Sequence, residues 1–248
     1  MIDSHAHIIS EFYEDIDELV NKIKKQGIVS VINCGDSLRT SKEVIEICKK
    51  HHDILFPVVG IHPDNISDKE NMISKLENII ISNKVYGIGE IGLDYYHNNK
   101  NRTEQKELFS NQIDLANKYN LPIVVHTRDS IQDCFDILKT KKIKGIIHCY
   151  SGSVEMAKEF IKLGFFLGIG GVLTFKNSNL YKVIESIDLE SIVLETDSPF
   201  LSPEPHRGTK NIPSNVYYVA KRISEIKHIS IEEVINTTSN NVRKIFDI

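Results

Sequence analysis

The chain has 248 residues, 41% of them hydrophobic and 26% charged, with 30 Lys and Arg against 34 Asp and Glu for a formal net charge of -4. A chain of this size and balance can bury roughly three quarters of its unfolded surface, which excludes disordered, collagen-like and coiled-coil readings. The slight acidic excess argues against a general electrostatic grip on nucleic acid, so any phosphate-bearing substrate has to be held by local cations.

Short runs rich in Ile and Val alternate with longer amphipathic segments along the whole chain. The runs fall at residues 2–8, 29–34, 55–61, 85–91, 122–126, 145–148, 165–169 and 192–195. Several are almost unbroken apolar stretches, as expected of parallel strands covered on both faces. Between them, residues 15–26, 38–51, 103–119, 130–141 and 154–163 carry apolar side chains three and four apart, the helical spacing. Gly27 and Gly164 sit where helices end. Residues 214–248 add two helical patterns separated near His228, both expected outside the barrel. Eight strand segments with intervening helices in about 250 residues match an α/β (β/α)8 TIM-type barrel with additional C-terminal helices. An open doubly wound sheet is the alternative. No Pro-, Gly- or Ser-rich linker interrupts the chain, so residues 1–248 are read as one barrel domain.

The cysteines, Cys34, Cys48, Cys134 and Cys149, form no CxxC pair, which argues against a disulfide framework or a thiolate metal site. Residues 1–20 lack the basic and apolar regions of a leader, and no run approaches the roughly 18 apolar residues of a membrane span. A cytoplasmic location is expected.

His5-Ala6-His7 places two imidazoles two residues apart, on one side of a strand, where both can reach a single metal ion. Glu90 lies in the glycine-rich apolar run Gly87-Ile88-Gly89-Glu90-Ile91-Gly92-Leu93-Asp94, where a bare carboxylate is strongly desolvated. Either a buried Lys or Arg neutralises it, or a metal does. His126 and His148 each close an apolar strand, and Asp197 follows another. In a barrel the carboxyl ends of all strands meet at one mouth. Four imidazoles and two carboxylates gathered there suit one or two divalent cations, with Glu90 between them.

Taken separately, these residues also have plainer readings. His62-Pro63 is equally a turn, Asp94 a local cap, and Arg128 a partner for Asp129 or a nearby Glu. Cys149 is assigned to packing on the strand face opposite His148, and His51, His52, His97 and His228 to solvent.

The chain resembles the TatD family of metal-dependent deoxyribonucleases, within the amidohydrolase-like barrels. The resemblance rests on Ile2-Asp3-Ser4-His5-Ala6-His7, Gly60-Ile61-His62-Pro63, Gly89-Glu90-Ile91-Gly92-Leu93-Asp94-Tyr95, His126-Thr127-Arg128, His148-Cys149-Tyr150-Ser151-Gly152 and Glu195-Thr196-Asp197-Ser198-Pro199, and extends to about Pro213. It implies one metal held by His5, His7, Glu90 and Asp197 and another by Glu90, His126 and His148, with Glu90 bridging. It also implies that His62, Arg128 and Arg207 line the substrate pocket. The sequence departs from the family pattern at Asn211-Ile212-Pro213, where relatives commonly read Asn-Glu-Pro.

The resulting expectation is a DNA phosphodiesterase, of exonuclease type, that uses two divalent ions (Mg2+, Zn2+ or Mn2+) to activate water. Asp197 is the expected proton acceptor, with Arg128 and Arg207 on phosphate oxygens. The alternatives are a metal-dependent ester or amide hydrolase, such as a D-aminoacyl-tRNA deacylase, and a non-catalytic metal-stabilised binding module. Neither a membrane nor a stable protein partner is indicated.

Overall fold

The computed structural model describes residues 1–66, 71–97 and 100–248. Eight parallel strands, β1 (Ile2–Ala6), β2 (Ser30–Cys34), β3 (Leu55–Val59), β4 (Gly87–Asp94), β5 (Ile123–Arg128), β6 (Gly145–Ile147), β7 (Phe166–Ile169) and β8 (Ile192–Leu194), run in chain order through one sheet. The sheet closes just past β8. Ala6 bridges Ser198 in parallel, the Asp197 N–H donates to the His5 carbonyl at 3.0 Å, and the His7 N–H donates to the Ser198 carbonyl at 2.7 Å. The protein is therefore the expected (β/α)8 barrel.

Helices α1 (Ile16–Lys25), α2 (Leu38–Lys50), α3 (Met72–Ser82), α4 (Arg102–Tyr119), α5 (Ile131–Leu138), α6 (Val154–Lys162) and α7 (Leu180–Ser186) link successive strands. Their starts are set locally. Asp15 and Ser153 accept backbone N–H groups from the first turns of α1 and α6, and Ser37 forms a reciprocal capping box on α2. Gly27 and Gly164, just beyond α1 and α6, take φ of +85° and +88°. His228 takes a left-handed conformation between α8 (Val216–Lys227) and α9 (Ile231–Phe246).

One sequence expectation is corrected here. Helix α9 does not lie wholly outside the barrel: Val242, Ile245 and Phe246 pack in one cluster with Ile2, Ile32, Val58, Val124, Ile146 and Val193 of the strands. That cluster is separate from the larger one joining the barrel to its surrounding helices. The first inward-facing residues of the strands leave an apolar opening at the amino end, and the apolar stripe of α9 covers it. With that end sealed, the carboxyl end is the open mouth.

Buried side-chain amides fix the mouth's backbone. Gln105 and Gln112, both on α4, clasp the N–H and carbonyl of Asp94 and of Ile61 at 2.8–3.0 Å. Asn211 donates to the carbonyls of Thr196 and Phe200 at 2.8 and 2.7 Å, holding the segment that carries Asp197.

Candidate metal centre

Six predicted side chains converge at the mouth. The Nε2 atoms of His5 and His7, at the end of β1, are 3.0 Å apart. Both face Glu90 Oε2, at 3.5 and 3.3 Å, and Asp197 Oδ1, at 3.5 and 3.6 Å. The other oxygen of Glu90, Oε1, faces His126 Nδ1 at 2.8 Å and His148 Nε2 at 3.3 Å. Glu90 thus presents one oxygen to each of two histidine pairs. Among the described residues no Lys or Arg pairs with it, so the buried salt bridge considered from sequence is not formed.

Donor atoms bound about 2.0–2.2 Å from a shared ion are about 2.9 Å apart in an octahedron and about 3.4 Å apart in a tetrahedron. The separations of 2.8–3.6 Å found here fit a divalent cation on either side of Glu90. His5 Nδ1 has no hydrogen-bond partner among the described residues. The site is largely buried, with His5 fully enclosed and Glu90 and His148 5% exposed, while His126 and Asp197 keep an edge toward the cavity.

Behind the donors stand groups that orient them. His126 Nε2 is hydrogen-bonded to Asp94 Oδ2 at 3.0 Å, and His148 Nδ1 lies 3.0 Å from Glu195 Oε1 as an ion pair outside hydrogen-bond alignment. Each imidazole therefore lies between a carboxylate in front and one behind; with an ion bound in front, the rear carboxylate would hold the remaining ring proton and leave the front nitrogen's lone pair to the ion. His7 Nδ1 rests 3.0 Å from the Cys34 carbonyl. Glu195 also accepts the Cys149 N–H at 2.7 Å, and its Oε2 lies where a Cβ on residue 168 would come within 2.2 Å, so Gly168 makes room for it.

The charges are strongly coupled. Burial alone raises a carboxyl's pKa, yet His148, His126 and His5 outweigh it and hold Glu90 well below the usual range. Asp197, also buried, is lowered by His7 and His148. Burial opposes protonation of His7, but Asp197 and Glu90 bring it up to about 10, and Asp94 and Glu90 likewise bring His126 up to about 8. His62 goes the other way, lowered to about 4 chiefly by burial.

The remaining predicted residues separate into two groups. His62 and Arg128 line the mouth, a cavity of about 700 Å3. His62 accepts the Asp64 N–H at Nδ1, which puts its own proton on Nε2, 3.8 Å from Glu90 Oε1. The Arg128 guanidinium lies 3.9 Å over the Tyr96 ring rather than against Asp129. Arg207 is not brought to the mouth: its guanidinium stacks at 3.8 Å over Phe175, outside the lining residues.

Several plainer readings are also revised. Asp94 is both cap and site residue, with Oδ1 accepting the Tyr96 and His97 N–H groups and Oδ2 facing His126. His97, though half exposed, lies 3.0 Å from Asp94 and lines the mouth. His51 pairs with Asp17 at 2.9 Å. Because β6 ends at Ile147, strand alternation does not apply to Cys149, which takes φ of +46° and also lines the mouth.

A closed (β/α)8 barrel with imidazole and carboxylate side chains gathered at its carboxyl end has its candidate metal centre where barrel enzymes carry their active sites. The chain belongs to the TatD family, whose TatD-related DNase model matches residues 2–247. It is 37% identical to the uncharacterized metal-dependent hydrolase YabD of Bacillus subtilis (strain 168) over 254 residues, covering 100% of this chain and 99% of YabD. With the deoxyribonuclease TATDN3 of Homo sapiens it shares 28% identity, covering 99% of this chain and 94% of that protein. The crystal structure of YjjV, a TatD homolog from Escherichia coli K12, superposes with a TM-score of 0.93 at 25% identity, covering 100% of this chain and 98% of that one. No helix among the described residues is long and apolar enough to cross a membrane.

Proposed function

We propose that this chain acts, as one barrel unit, as a deoxyribonuclease that cleaves DNA phosphodiester bonds with two divalent cations. The observation that carries the reading is the two-sided Glu90, whose separate oxygens face His5 and His7 on one side and His126 and His148 on the other. His5, His7, Glu90 and Asp197 would hold one ion, and Glu90, His126 and His148 the other. When bound, such ions supply Lewis-acid activation of water and neutralise charge building on the phosphoryl oxygens.

The chain's own residues supply the rest. Asp197, kept ionised by its histidine neighbours, accepts the proton of the attacking water at a carboxylate oxygen. His62, neutral at physiological pH, presents its Nε2 proton to a substrate oxygen. Arg128, held in place by Tyr96, supplies a local positive charge for a phosphate that the acidic surface otherwise lacks. Arg207 is stacked on Phe175, outside the lining of the cavity. Mg2+, Mn2+ and Zn2+ all suit a mixed set of imidazoles and carboxylates. The free thiols Cys34, Cys48, Cys134 and Cys149 suit a reducing compartment such as the cytoplasm.

The test is a metal screen on end-labelled single- and double-stranded DNA, comparing wild type with Glu90→Ala, alongside aminoacyl ester substrates. Metal-dependent DNA cleavage that Glu90→Ala abolishes supports the reading. Inert DNA with turnover of the ester would transfer the same site to carbonyl chemistry.

A further inference from the structure

Among the described residues, Phe200 and Tyr96 are two of six large hydrophobic side chains left substantially exposed, at 48% and 63%. Phe200 lines the mouth, and Tyr96 carries the guanidinium of Arg128, which lines it too. Phe200 follows β8, beside β1, whereas Tyr96 follows β4, beside β5, and in an eight-stranded barrel those edges face each other. Phe200 is not loose: its ring packs edge-on against Phe12 at 5.3 Å and approaches His7 at 6.3 Å. The opposite edge carries the guanidinium of Arg128 over Tyr96. The mouth therefore has an aromatic half and a cationic half, with the metal donors between them.

A nucleotide has the same division into a flat π-faced base and an anionic phosphate. We propose that Phe200, braced by Phe12, is a stacking platform for the nucleobase beside the scissile phosphate, and that the strand continues across the mouth toward Arg128. This rests on the phosphodiesterase reading above. A base inside a duplex is stacked on both faces and reaches a side chain only by leaving the helix, so the preferred substrate is an unpaired strand end.

The experiment compares kcat/KM for a single-stranded oligonucleotide with that for the same oligonucleotide carrying a tetrahydrofuran abasic residue at its terminus, each end in turn. Wild type is expected to prefer the intact terminal base by about tenfold at one end, mainly through KM, the scale of base–aromatic stacking. Phe200→Ala removes that preference and Phe200→Trp keeps it. If Phe200→Ala does not fold, Phe200→Leu, which retains bulk without a π face, is expected to lose the preference. Equal cleavage of intact and abasic ends by wild type would overturn the platform while leaving the nuclease reading intact. So would a Phe200→Ala enzyme slowed equally on both substrates. No cleavage of either by wild type would overturn both.

Discussion

Glu195→Gln isolates the role of the carboxylate behind His148. Glu195 is fully buried, with one oxygen 3.0 Å from His148 Nδ1 and 2.7 Å from the Cys149 nitrogen. Glutamine preserves the volume but turns one oxygen into a donor. His148 and Cys149 meet the same oxygen, Oε1, so the amide keeps both contacts with its NH2 at the Oε2 position, and what is lost is the negative charge behind the imidazole. Replacing such a group behind a ligating histidine weakens metal binding by about 10- to 100-fold, or about 1.4–2.7 kcal/mol. Calorimetric titration of the chelated protein with Mn2+ reads this directly, with thermal melting as the check that the barrel is intact. The first-filled position is expected to lose one to two orders of magnitude if it is the His126 and His148 side, and the second position to lose little. A folded Glu195→Gln protein with wild-type affinity at both positions would refute the claim that the Glu195 charge strengthens His148 as a metal ligand.

Metal binding should also release protons. In the metal-free protein the facing carboxylates outweigh burial, raising His7 to about 10, His126 to about 8 and His148 well above its ordinary value. Ligation requires neutral imidazoles, so titrations in buffers of different ionisation enthalpy should show about three protons released and an affinity that climbs from pH 6 to 9. Equal heats in all buffers would contradict it. The same raised values give the metal-free protein stability that is fully present below the ordinary histidine value of 6.5 and lost as pH rises through about 8 for His126 and about 10 for His7. Its melting temperature is therefore expected to fall across that window, and a flat profile would count against it. Arg128→Ala should raise KM for DNA and flatten the salt dependence by about one unit of slope, and an unchanged slope would remove Arg128 from the phosphate. Phe246→Ala, which unseats the plug at the closed end, is expected to cost about 3–5 kcal/mol in denaturant unfolding. A loss below about 1 kcal/mol would mean that α9 is not the seal.

The barrel and the convergence of the six candidate ligands were legible because both follow from local patterns that topology then multiplies. Apolar runs ending in His or Asp mark strand ends, and a closed parallel barrel brings all strand ends together. Glu90 was readable from the cost of burying it. Its partner Asp94 was within reach too: four residues on along β4, it faces the same side, and its capping role masked the second one. Glu195, two residues from Asp197, carried the same signal as Glu90, a carboxylate closing an apolar run, but sequence does not show which histidine stands in front of it. Contacts between distant loops left no such trace. Arg207 stacks on Phe175, and Cys149 turns toward the mouth because β6 stops at Ile147. Helix α9 shows its apolar stripe plainly, but whether that stripe covers a helix or a barrel end is settled only by the tertiary fold. At Asn211-Ile212-Pro213, Asn211 keeps its grip on the Asp197 segment, and Ile212 packs on the main core.

The central claim is that Glu90 lies between two cations. Anomalous diffraction from crystals soaked in Mn2+ tests it most directly. Two peaks about 3.5–4 Å apart on either side of the Glu90 carboxylate, one against His5 and His7 and the other against His126 and His148, are the predicted result. A map with no peak beside Glu90, or with manganese only at the outer Asp64 and His97, would contradict it.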